Sequence, residues 1–153
     1  LKPDSGGPGK HRGGLGQVVT VGSVSGEHWS MSGMYDRTRH PAQGLHGGGP
    51  GAIGEYHTSA GDRPSPKRQH RFDSDTRATV ELPGGGGYFD PLQRSPEQVL
   101  EDVIVGYVTP AAAEREYGVV VTCSKRPDER ISLPEHYAID WDATRRLRDG
   151  VVR

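Results

Sequence analysis

The chain has 153 residues, 19 Lys and Arg against 20 Asp and Glu, and a formal net charge of -1. Leu, Ile, Val and Phe make up about 18% of it and Gly plus Pro about 23%, which implies a loop-rich chain with a thin core that leans on another surface. Balanced charge argues against a global pull toward nucleic acid or anionic lipid, the lack of any apolar run of about 18 residues argues against a transmembrane helix, and the single cysteine, Cys123, excludes an internal disulfide and fits a reducing compartment.

Glycine divides the chain. Residues 1–61 hold 16 of the 23 glycines and Gly84 to Gly87 four more; only Gly106, Gly118 and Gly150 follow. This composition predicts a glycine-rich β/loop region over 1–94 and a helical region over 95–153, both parts of one α+β domain. Residues 17–24 have the β-branched density of a strand, and 27–35 is expected to pair with them across the turn at Ser25-Gly26. A short strand is expected near 53–58. The polar run 62–75 reads as a solvated connection, and 77–82 alternates as a strand with Ala78, Val80 and Leu82 on one side.

The helical region announces itself through caps. Ser95 precedes Pro96 and stands three residues before Gln98, as a capping box requires, and Val99 and Val103 then share one face up to a stop at Gly106. Thr109-Pro110 opens a second helix that stops at Gly118, and 119–122 reads as a short apolar strand. A third helix over 140–149 is capped by Asp140 and closed by Gly150.

Three glycine clusters carry the chemistry. The first, Gly6-Gly7-Pro8-Gly9-Lys10-His11-Arg12-Gly13-Gly14-Leu15-Gly16, could aim backbone N–H groups and two cations at an anion. It lacks the Lys-Ser/Thr ending of a P-loop, and a strand follows rather than precedes it, so tight turns between strands are the competing reading. The second is Gly44-Leu45-His46-Gly47-Gly48-Gly49-Pro50-Gly51, and the third Leu82-Pro83-Gly84-Gly85-Gly86-Gly87-Tyr88-Phe89-Asp90-Pro91. Four consecutive glycines are entropically costly, so the chain keeps them where another strand, a subunit or a ligand must approach the backbone closely.

The order of these clusters, with Val99 to Val108 and Ala111 to Val120 behind them, resembles the C-terminal part of the hydantoinase B/oxoprolinase family over about residues 5–121. The family includes B-type subunits of ATP-dependent hydantoinases, the C-terminal half of 5-oxoprolinase and large subunits of ketone carboxylases. The resemblance implies a fragment of a larger cytoplasmic subunit that hydrolyses a cyclic amide with ATP. It implies a hydantoinase A-type partner that holds ATP and makes a phosphorylated intermediate, a small-molecule substrate, and any divalent metal outside this segment. Under it, Lys10 and Arg12 are expected to face a substrate carboxylate or phosphorylated carbonyl. The N–H groups of Gly84, Gly85, Gly86 and Gly87 would act as oxyanion donors, and Asp90 is a further catalytic candidate or else a turn residue. Phe89 stands where the family usually has glycine, and His11 where it commonly has an aromatic. The competing expectations are a non-catalytic subunit-interface segment and part of a ketone carboxylase.

Other signals are weaker. The seven histidines show neither a His-x-His pair nor a His-Glu-x-x-His helix, so no metal site is expected from them. Cys123 reads as a buried or idle thiol, Lys67-Arg68-Gln69-His70-Arg71 as a solvated basic loop, and Arg145, Arg146 and Arg148 as a helix's polar face.

Overall fold

The structure is a computed structural model, and it describes residues 1–124 and 133–151. It is an α+β arrangement in which, among the described residues, five strands precede the first α-helix and two short strands fall between the second and third helices. Strand β1 (Val18–Gly22) pairs antiparallel with β5 (Arg77–Glu81), and β5 pairs antiparallel with β3 (Glu55–Thr58), giving a three-stranded sheet in the order β1-β5-β3. Strand β2 (Trp29–Ser32) pairs instead with β4 (Gln69–Phe72), Trp29 opposite Phe72. The expected hairpin between 17–24 and 27–35 is therefore corrected: both strands exist, but each finds a partner far along the chain. β4 also corrects the reading of 62–75 as connection only. Its Phe72 is buried and packs against Trp29 with the rings tilted and their centroids 4.8 Å apart, which offsets the polarity of its neighbours.

The caps hold the helices as read. In α1 (Pro96–Ile104) the Ser95 hydroxyl accepts from the Gln98 N–H at 3.3 Å, and in α2 (Pro110–Tyr117) the Thr109 hydroxyl accepts from the Ala112 N–H at 3.2 Å. Gly118 ends α2 in the left-handed region at φ 61°, where a side chain would be strained. In α3 (Trp141–Val151) Asp140 accepts from the Ala143 N–H at 2.9 Å. Gly150 does not close α3, which runs through it to Val151. The strand expected at 119–122 sits slightly later, as β6 (Val121–Cys123) paired with β7 (Tyr137–Ile139). Cys123 is exposed on β6, not buried.

Two apolar clusters result. Tyr56, Phe72, Ala78 and Val80 form the strand-side core, supported by Trp29, Met31 and Tyr35. Val99, Val103, Val108, Ala112, Ala113, Tyr117, Val119 and Val121 form the helix-side core. Leu82, expected to join Ala78 and Val80, is exposed. So are Val18, Val19 and Val21 of the edge strand β1, leaving an apolar strip without cover among the described residues.

Candidate functional site

The three glycine clusters lie between these cores and converge on one another. Residues 84–88 run between the first and second clusters and bond to both. Gly85 donates to Gly14 O at 2.9 Å and accepts from Gly7 at 2.8 Å, while Gly87 donates to Gly49 O at 2.9 Å and accepts from Leu45 at 3.0 Å. Tyr88 exchanges both backbone bonds with His11, at 2.9 and 3.0 Å, and also bridges to Leu45 in parallel. The first two clusters bond directly, Gly49 to Pro8 O at 2.7 Å and Ala52 to Ser5 O at 2.8 Å.

The glycines are required by this proximity. A Cβ on Gly84 would fall on the Ser5 carbonyl, one on Gly87 on the Pro8 carbonyl, one on Gly13 on the Gly85 carbonyl, and one on Gly86 on the Gln43 carbonyl. Any side chain would separate the three backbones and break the bonds between them. The thing approaching the four glycines is thus the rest of the same chain.

That geometry bears on the expected donors. The N–H groups of Gly84, Gly85 and Gly87 donate to the Ala52, Gly14 and Gly49 carbonyls, so receiving an oxyanion would require them to give up those bonds. Gly86 alone has an N–H without a partner among the described residues. In the first cluster Gly7 donates to Gly85 and Gly13 to Gly7.

Arg12 is engaged within the chain. Its guanidinium turns inward: Nε lies 3.4 Å from Asp102 Oδ2, one terminal nitrogen donates to Gly13 O at 2.7 Å, and the group sits 5.0 Å over the Tyr107 ring. Arg94 approaches the same Asp102 oxygen at 2.9 Å and donates to Lys10 O at 3.0 Å. Asp102 is buried in α1, so this charge cluster ties the first glycine loop to the helical region. Beside it, burial pushes the Tyr117 hydroxyl up to about 12, with the Asp102 charge adding to the shift. Neither Asp102 nor Arg94 stands out in the sequence as a site residue, but one signal is present: Asp102 falls between Val99 and Val103 on the face those valines bury, where a carboxylate needs a cationic partner.

Lys10 and Asp90 lie where the loops end. Lys10 is exposed and its N–H bonds Phe89 O at 3.2 Å, which places it beside the third loop's tip. Asp90 caps a short turn of 3-10 helix, Pro91–Gln93, by accepting from the Leu92 N–H at 2.9 Å; that is the turn role. Around them His46 packs on Phe89 (5.5 Å, stacked) and on Tyr88 (5.3 Å, edge-on), and Tyr88 meets Phe89 at 4.2 Å. Phe89 at φ 59° and His46 at φ 50° both hold left-handed backbone, a conformation L side chains rarely adopt. The result is an exposed face carrying one ammonium, two imidazoles (His11 and His46), a phenol and an apolar ring, all on loops fixed by backbone bonds. Such a face can bed a planar carbonyl compound on the aromatics and offer ammonium and imidazole groups to its oxygen.

Residues 1–91 match the family model described as Hydantoinase B/oxoprolinase. A protein of Pseudomonas sp. (strain NS671), named as the putative B-type subunit of a D-/L-hydantoinase, is 29% identical over 154 residues, covering 97% of this chain and 24% of its own length. The nucleotide-free structure of acetone carboxylase, from work on ATP-dependent acetone carboxylation, superposes with a TM-score of 0.74 at 25% identity, over 99% of this chain and 24% of that one. The crystal structure of ATP-dependent caprolactamase from Pseudomonas jessenii superposes with a TM-score of 0.69 at 26% identity, over 97% and 25%. The chain spans about a quarter of the length of the relatives it matches.

Proposed function

Because the chain belongs to the hydantoinase B/oxoprolinase family, we propose that it is part of a B-type subunit that opens a cyclic amide in an ATP-dependent reaction. The partner is an A-type subunit that binds ATP, and the glycine loops of this chain take no part in holding the nucleotide. Within the segment, Lys10 is the residue that meets the reactant, steadying negative charge on the carbonyl oxygen that ATP has phosphorylated while water adds, the ring C–N bond breaks with its nitrogen taking up a proton, and the phosphate is then released by a second water. Arg12 contributes through Asp102, by fixing the loop that carries Lys10, and Asp90 by fixing the turn behind Phe89.

The observation that carries this reading is the convergence of three separate loops, through backbone bonds alone, on one exposed face that holds Lys10 next to an aromatic cluster. The test is ATP-dependent hydrolysis of hydantoins by the complete B-type subunit with its A-type partner. Lys10→Ala lowers turnover by at least about tenfold, in line with loss of one charge-stabilising group. An unchanged rate removes Lys10 from the chemistry.

A second reading has its own support: the N–H groups of Gly84, Gly85 and Gly87 and the Arg12 guanidinium face inward, as in a purely architectural segment. Full activity of Lys10→Ala in a stable complex favours that reading. Bicarbonate-dependent consumption of a ketone by the same complex would favour carboxylation over hydrolysis.

A further inference from the structure

A second feature shares no residue with the loop-tip face. Residues 35–40, 53–56 and 63–68 enclose an open groove of about 860 Å³ on the strand side of the molecule. That is the size of a small-molecule site, typically about 300–1,000 Å³.

Its charge is lopsided. Arg37, Arg39, Arg63, Lys67 and Arg68 line it against two acids, Asp36 and Glu55. Both acids are engaged: Asp36 accepts from Lys67, and Glu55 from Arg63 at 3.0 Å. Among the described residues none of Arg37, Arg39 and Arg68 forms a close ion pair, although Lys67, joined by the Arg37 charge, holds the Asp36 carboxyl below its usual range, in a chain whose net charge is -1. The groove therefore concentrates positive charge that the composition as a whole does not show.

A second, independent observation lies in its wall. Tyr56 is 5% exposed, and its hydroxyl is buried with no hydrogen-bond partner among the described residues. Buried polar groups are normally satisfied, and an orphaned donor beside a cationic cleft marks a place for an acceptor atom. The Tyr35 ring meets Tyr56 edge-on at 5.6 Å and lines the same groove. The 35–40 loop is pinned to the sheet by the bond from Gly54 N–H to Arg37 O at 3.0 Å, with Arg37 itself held at φ 55°.

We propose that this groove binds a small organic polyanion, its carboxylate or phosphate groups held by Arg37, Arg39 and Arg68 and an acceptor atom taking the Tyr56 hydroxyl. Guanidinium groups suit both anion types through paired N–H donors. A small ligand is favoured over an acidic protein segment because the orphaned hydroxyl is buried in the wall of a concave site.

Isothermal titration calorimetry on the full-length subunit, with citrate and pyrophosphate as probes, tests this. At least one probe binds, and tighter binding of citrate or of pyrophosphate identifies a carboxylate or a phosphate ligand. Affinity falls by about tenfold or more in R37A/R68A, from loss of charge-assisted contacts, and weakens as salt is raised. Tyr56→Phe weakens binding by about threefold to tenfold without lowering the melting temperature, because the hydroxyl has no partner to lose. The proposal is overturned if neither probe binds, if R37A/R68A binds as well as wild type, or if the groove arginines of the probe-free subunit resist dicarbonyl modification. That last result would mean that the remainder of the subunit already covers them.

Discussion

Phe89 shows what single residues contribute to the loop-tip face. It stands where the resembling family usually has glycine, and the structure gives the reason for that preference: φ is 59°. Holding an L residue there costs about 1–2 kcal/mol, while its ring contacts with Tyr88 and His46 return about 0.5–1.5 kcal/mol each. Phe89→Gly is therefore expected to leave stability within about 1 kcal/mol of wild type despite removing a large side chain. A denaturant melt that shows a loss of more than about 2 kcal/mol would mean that ring packing outweighs backbone strain. The chain has no asparagine, the usual alternative to glycine at such positions, and among the described residues Asp4, Arg37, His46 and Phe89 hold positive φ alongside five glycines. Glycines offer the sharper contrast. Gly84→Ala puts a methyl group on the Ser5 carbonyl and is expected to cost about 3 kcal/mol or more, whereas Gly14→Ala meets nothing within 4 Å and is expected to stay within about 0.5 kcal/mol. Equal melting temperatures for the two variants would contradict the packing account.

Between the N-terminal loop and the helices, charge and backbone bonds stand beside the apolar contacts of the two cores. The first glycine loop reaches α1 through Arg12 and Asp102, and α2 through Asp4, which accepts from both the N–H and the hydroxyl of Thr109 at 2.7 and 2.8 Å. Helix α3 is tied in by Arg148, half-buried instead of solvated, which donates to Tyr117 O at 3.0 Å and Arg94 O at 2.9 Å, and by the buried Thr144 hydroxyl, which accepts from Val120. Asp102→Asn keeps the volume but leaves Arg12 and Arg94 facing each other without an anion. We expect a loss of about 3–5 kcal/mol, measured by chemical denaturation. A change below about 1 kcal/mol would mean that the pair is effectively solvated. Helices were legible because their signals are local: Ser95, Thr109 and Asp140 each bond a backbone N–H three residues on. Strand partners were not, because β1 and β5 lie far apart in the chain and the turn at Ser25-Gly26 suggested a nearer partner. β4 was hidden for another reason, since only Phe72 of its four residues is buried.

At the scale of the whole molecule, two small apolar cores are joined by a layer that is almost entirely main chain. The glycine clusters were legible as places of close approach, yet nothing in their composition distinguished a reactant from the chain itself as the thing approaching. That distinction depends on where Ser5, Pro8 and Gln43 fall in space, which is set by contacts across tens of residues. Hydrogen exchange at the amides of residues 84–87, followed by NMR in the full-length subunit without ligand, tests this central point directly. The account predicts slow exchange at Gly84, Gly85 and Gly87, whose N–H groups are bonded to Ala52, Gly14 and Gly49, and fast exchange at Gly86. Fast exchange at all four, becoming slow only when a reactant or anion is added, would contradict it and return these amides to the role of oxyanion donors.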